Sequence, residues 1–131
     1  MVAIWQERFD NAKPSYTRVN DKKFADLEPN TTILIPSPAD IQREIDDLAA
    51  GETMELTELR NRLADRHGVD GTCPVMAGMN LRVVAEVCFE ALDAGVPPAQ
   101  LSPVWNAISP TSPLASKLPG GPERVHALRA G

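Results

Sequence analysis

Apolar positions along the chain recur mainly with helical spacing. In "SPADIQREIDDLAAGE", Ile41, Ile45 and Leu48 stand at i, i+4 and i+7, which predicts a helix with one buried stripe. Ser37 fits its N-cap, Pro38 its first position, and Asp40 follows three residues after the cap; Gly51 is expected to end it. "ELTELRNRLADRHG" predicts a second helix, with Leu56, Leu59 and Leu63 inward and Gly68 as the stop. "TCPVMAGMNLRVVAEVCFEALDAG" is the longest periodic segment. Val75, Met79, Val83, Val87 and Ala91 recur every fourth residue, and Met76, Val84, Cys88 and Leu92 widen the stripe. Such width predicts a central, mostly buried helix, with Thr72 as cap, Pro74 at its start and Gly78 as a candidate break.

Period two is scarce. "TTILIP" (31–36) is β-branched and apolar, a short strand stopped by Pro36 and Pro38. Residues 1–36 read as a polar arm. It holds a short helix near "VAIWQERFDNA", and Trp5, Phe9, Tyr16 and Phe24 are expected to pack on the body. Beyond Gly95 the prolines at 97, 98, 103, 110, 113, 119 and 122 forbid one long helix. There "VPPAQLSP" reads as a turn-helix, "VWNAI" as a short strand, "SPLASKL" as two turns capped by Ser112, and "GGPERVHALRAG" as a last helix with Val125 and Leu128 inward. The expected fold is mainly α: a small winged-helix-like helical domain over 37–131, with a short β element and an N-terminal arm over 1–36.

Charge narrows the partners. The net charge of −5 is uneven: the arm balances, residues 37–95 carry −7, and residues 96–131 carry +2. Nucleic-acid binders show a basic footprint, and the middle of this chain shows the reverse. No apolar run approaches the roughly 20 residues of a membrane span. The start "MVAIWQERFD" lacks a basic n-region and a long apolar core, so a cytoplasmic protein is expected. Cys73 and Cys88 belong to no paired Cys/His pattern, which speaks against a structural zinc site and for two reduced thiols. No cofactor or metal is expected.

From Ser37 onward the order of elements resembles the C-terminal domain of the O6-alkylguanine-DNA alkyltransferase family (methylated-DNA–protein-cysteine methyltransferases). "GETMEL" stands where that family has a "G-x-V-x-T-Y" turn, and residues 56–67 and 74–94 stand for its helix-turn-helix pair. "PVWNAI" (103–108) stands for "P-C-H-R-V", and "GGPERVHALRAG" for the closing Gly-Gly helix. The chain also resembles uncharacterised bacterial relatives with a "TCPV" segment and a tryptophan after the proline. The resemblance implies a winged-helix-like module that binds duplex DNA and flips a base.

The departures from that pattern bear on function. An alkyl acceptor must be an activated thiolate. Val104 holds the acceptor place, Trp105 the histidine place, Asn106 the arginine place, and Leu56 the tyrosine of the turn. The family's arginine finger falls on Glu86 without gaps; Arg82, one turn earlier, substitutes if the alignment slips. Alkyl transfer by the family's mechanism is therefore not expected. Alkyltransferase-like proteins, which carry tryptophan for the cysteine and mark damaged bases, are a second likeness.

Three candidate sites follow, each with a plain structural alternative. Arg60, Arg62 and Arg66 are either a solvated helix face or a strip that touches phosphates. Val104, Trp105 and Asn106 are base-pocket candidates; the indole either stacks on a flipped base or is a core aromatic. Cys73, at a helix start with His67 six residues upstream, is either an inert thiol or a nucleophile. Cys88 is expected in the core and His126 at the surface. Two principal functions remain open. One is a non-catalytic DNA-binding or damaged-base-recognition protein, in which Arg82 reads or wedges. The other is a protein-interaction or regulatory module that reused the fold and lost DNA binding. A Cys73 enzyme is the third.

Overall fold

The computed structural model describes residues 4–131. Its elements run α1 (Ile4–Asp10), β1 (Tyr16–Asn20), β2 (Thr31–Ile35), α2 (Pro38–Asp46), α3 (Leu56–His67), β3 (Gly71–Thr72), α4 (Pro74–Asp93), α5 (Pro113–Lys117) and α6 (Gly121–Ala130). Two 3-10 turns, Pro98–Gln100 and Val104–Ala107, link α4 to α5. The protein is thus mainly α with a small three-stranded sheet.

The strand predicted over 31–36 forms as Thr31–Ile35 and is the middle of that sheet. It pairs antiparallel with β1, Tyr16 opposite Ile35 and Asn20 opposite Thr31, and parallel with β3, Ile33 opposite Gly71. Its alternation divides the interior. Leu34 joins the main core, while Ile33 and Ile35 face a second cluster with Leu27 and Cys73. Strands β1 and β3 were not expected. The first, "YTRVN", exposes four of its five residues, and the second is two residues long, so neither carries a periodic signal. Gly71 has a steric reason: a Cβ there would lie 2.7 Å from the Leu27 side chain.

Helix α2 starts as its sequence dictates. Ser37 is extended at the N-cap and its Oγ accepts the Asp40 N–H at 3.1 Å. The helix ends at Asp46, earlier than expected, and Gly51 sits at φ +79° in the turn that follows. Helix α3 ends at Gly68, left-handed at φ 65°. Ile41, Ile45, Leu59, Leu63, Val84 and Phe89 are fully buried and join α2, α3 and α4 into one core.

Helix α4 is central, as its width predicts, but its face is rotated. The predicted stripe holds at Val83, Val84 and Cys88, which are buried, but Val75 and Met79 are exposed, and Ala77, Leu81 and Ala85 are buried in their stead. The packing of α2 and the C-terminal turns on α4 selects this side, and the apolar start of the helix had concealed the choice. Gly78 does not break it, and Cys73, not Thr72, is the cap residue. Thr72 lies in β3 and its Oγ1 donates to the Arg60 carbonyl at 2.8 Å.

In the arm, Phe9 packs on the core and α1 lies on α4. Tyr16 and Phe24 are half exposed instead, because they stand on an edge strand and in the hairpin loop. Residues "VWNAI" form a 3-10 turn, not a strand. The segment follows Pro103 and has no strand beside it, so the Asn106 carbonyl accepts the lone Met54 N–H at 2.9 Å. Ser112 caps α5 as expected, its Oγ accepting the Ala115 N–H. Val125 of α6 is fully buried.

Candidate functional site

Residues 103–108, the segment expected to match an acceptor loop, are closed. Val104 is fully buried and Trp105 is 6% exposed, both within the main core. The Trp105 carbonyl accepts a hydrogen bond from Arg129 Nε of α6 at 2.7 Å, which fastens the last helix over the turn. A cleft of about 840 Å³ lies alongside, between the 51 and 98–103 turns and α6. Trp105 and Asn106 border it, Val104 does not, and Arg129 Nη2 is buried on its wall without a hydrogen-bond partner among the described residues.

The three arginines of α3 are brought onto one helix, but each is claimed by a carboxylate. Arg60 forks onto Asp26 (2.7 and 3.0 Å) and also donates to the Thr72 carbonyl, so it clamps the hairpin loop and β3 to α3. Arg62 meets Glu52 at 3.0 Å and Glu58 at 3.2 Å. Arg66 meets Asp47 and the buried Glu44. The charges respond accordingly. The hydrogen bond from Arg60 holds the Asp26 carboxyl below its ordinary range; the Ala49 N–H, then Arg62, do the same for Glu52. Hydrogen bonds to Glu52 and Glu44 raise Arg62 and Arg66. A phosphate would have to displace these partners, Asp26 from the arm and Glu44, Asp47, Glu52 and Glu58 from the −7 segment.

Cys73 and His67 are engaged separately. Cys73 is buried among Leu27, Ile33, Ile35 and Met76, and its N–H donates to the Leu34 carbonyl at 2.9 Å. His67 Nδ1 lies 2.9 Å from the Leu63 carbonyl and Nε2 lies 3.4 Å from Asp40 Oδ2. Cys88 is core, as expected, and burial pushes its thiol up to about 11, with Asp46 adding to the shift. Among the described residues no group of three His, Cys, Asp or Glu could hold a metal ion. No helix there is long and apolar enough to cross a membrane.

Arg82 stands apart from the Trp105 cleft. It lines a groove of about 510 Å³ between α1, the start of β1 and α4. Its guanidinium and that of Arg8 lie over the Trp5 ring, 5.0 and 4.8 Å from the centroid. Arg82 Nε also meets Glu86 at 3.2 Å, so the buried acid in the finger's place is this arginine's partner. This groove was not anticipated as a site. The signal was the basic and aromatic interleaving of the arm, Trp5, Arg8, Lys13 and Tyr16, which sequence periodicity cannot place against α4.

Comparison of the chain with models of known protein families, with curated proteins and with solved structures finds no match.

Proposed function

We propose that this protein is a non-catalytic interaction module, built on a helical scaffold of the alkyltransferase-like kind and working without DNA. One observation carries the reading: the α3 arginines that would meet a phosphate backbone are already neutralised. Arg60, Arg62 and Arg66 each hold carboxylates of the same chain. DNA affinity rests largely on phosphate neutralisation and counterion release, which paired arginines in an acidic segment do not supply. Val104 in the acceptor place supports the absence of alkyl transfer. A cytoplasmic location belongs to the same proposal and is supported by two unbridged cysteines.

Damaged-base recognition is the second reading, and the cleft beside Trp105 favours it. Asn106 and the unpartnered Arg129 Nη2 border a space that a flipped base could enter. Fluorescence anisotropy of labelled duplexes with and without O6-methylguanine, at low salt, separates the two. The interaction module gives no saturable binding tighter than about 10 µM. Tighter binding that weakens steeply with salt would sink it, and a preference for the modified duplex would install the second reading.

A further inference from the structure

The groove between α1 and α4 has the composition of a binding surface and a charge opposite to the chain's. Trp5, Tyr16, Met79, Arg8, Arg82 and Lys13 border it, and no aspartate or glutamate does. Trp, Tyr, Arg and Met are the residues enriched at the centres of protein interfaces. Met79 is 58% exposed and Tyr16 51%, so the apolar surface is open. Ile4, just before Trp5 on α1, and Val75, just before Met76 on α4, are exposed as well.

The cations are held ready for an anion. Stacking on Trp5 fixes both guanidiniums, and Arg8 and Lys13 have no ion-pair partner among the described residues. Arg82 uses only Nε toward Glu86, which leaves its two terminal nitrogens for another acceptor. A guanidinium with its fork free takes a carboxylate in a bidentate manner. The floor of Ile35, Met76 and Val83 is apolar and takes a side chain rather than a charge.

We propose that this groove binds an acidic peptide segment of a partner protein, its apolar side chain seated on the Met76–Val83 floor and its carboxylates on Arg8, Lys13 and Arg82. This rests on the interaction-module reading and names the partner's chemistry. The test is a random peptide library displayed on phage and panned on the full chain, followed by anisotropy of the fluorescein-labelled consensus peptide. The recovered peptides are expected to combine Asp or Glu with a large apolar residue. Arg8→Glu and, separately, Lys13→Glu are each expected to weaken the peptide by about tenfold or more, with thermal melts unchanged. Recovery of peptides without acids, binding by both variants as tight as that of the unaltered chain, or no enrichment would overturn the proposal and leave the non-DNA reading standing. Competition by unmodified duplex DNA for the same groove would overturn both. Self-association that disappears in Arg8→Glu, seen by sedimentation, would assign the groove to a second copy of this chain and overturn the peptide.

Discussion

Truncation of Trp105 to alanine separates a core aromatic from a pocket wall. The indole is 6% exposed and packs in the main core with Val104 and Ile108. A buried aromatic of this kind removes roughly 150–250 Å² from water. At about 25 cal/mol per Å² that corresponds to about 4–6 kcal/mol. Alanine retains one carbon and the site relaxes in part, so the expected loss is about 3–5 kcal/mol. A chain of this length has a total stability of about 7–20 kcal/mol, so the variant still folds but sits near its margin. In urea, with a slope of about 1.5–2 kcal/mol/M, the midpoint read by far-ultraviolet circular dichroism falls by about 2 M. Trp105→Phe keeps a ring in place and loses about 1–2 kcal/mol. If Trp105→Ala instead costs less than about 1 kcal/mol, the indole faces an open cavity and the core assignment is wrong.

Three further outcomes follow from named contacts. Ser37→Ala removes the oxygen that accepts the Asp40 N–H, and is expected to destabilise by about 1 kcal/mol in a urea melt, against no effect if the cap is idle. Cys88 has a folded-state value raised to about 11 from an ordinary 9.0, first by burial and then by Asp46. The folded state therefore keeps its proton longer than the unfolded chain. The stability attached to that proton is whole below pH 9 and is lost as pH rises toward 11, an effect on the order of 2–3 kcal/mol. Cys88→Ala should remove this slope between those pH values, and an identical slope in both proteins would refute the assignment. Val104→Cys puts a thiol at the position that the proposed resemblance matches to an alkyl acceptor, here fully buried beside Trp105. It is expected to take no labelled methyl group from an O6-methylguanine duplex; measurable transfer would show that the loop opens.

Much of the fold is legible in the residues because it depends on local rules. The Ser37 and Ser112 caps, the Gly68 stop, the β2 strand and the centrality of α4 all follow from backbone chemistry or from apolar period. What was not legible depends on partners far away in the chain. The buried side of α4 runs through Ala77 and Leu81, not Val75 and Met79, because α2 and the C-terminal turns occupy that side. The same limit governs the site. Arg60, Arg62 and Arg66 look like a free cationic strip on one helix until Asp26, Glu52, Glu44 and Asp47 arrive from other elements and take their charge. Conversely, Arg8 and Arg82 are 74 residues apart, and the sequence marks Arg82 only as a DNA-reading candidate and Arg8 not at all, yet the fold puts both over one indole. Charge counted along the chain therefore points away from any anion site, while the fold gathers Arg8, Lys13 and Arg82 around a groove whose described lining holds no aspartate or glutamate. The proposed acidic partner would gain there from cations that the chain's own carboxylates leave free, since Arg8 and Lys13 hold no ion pair among the described residues.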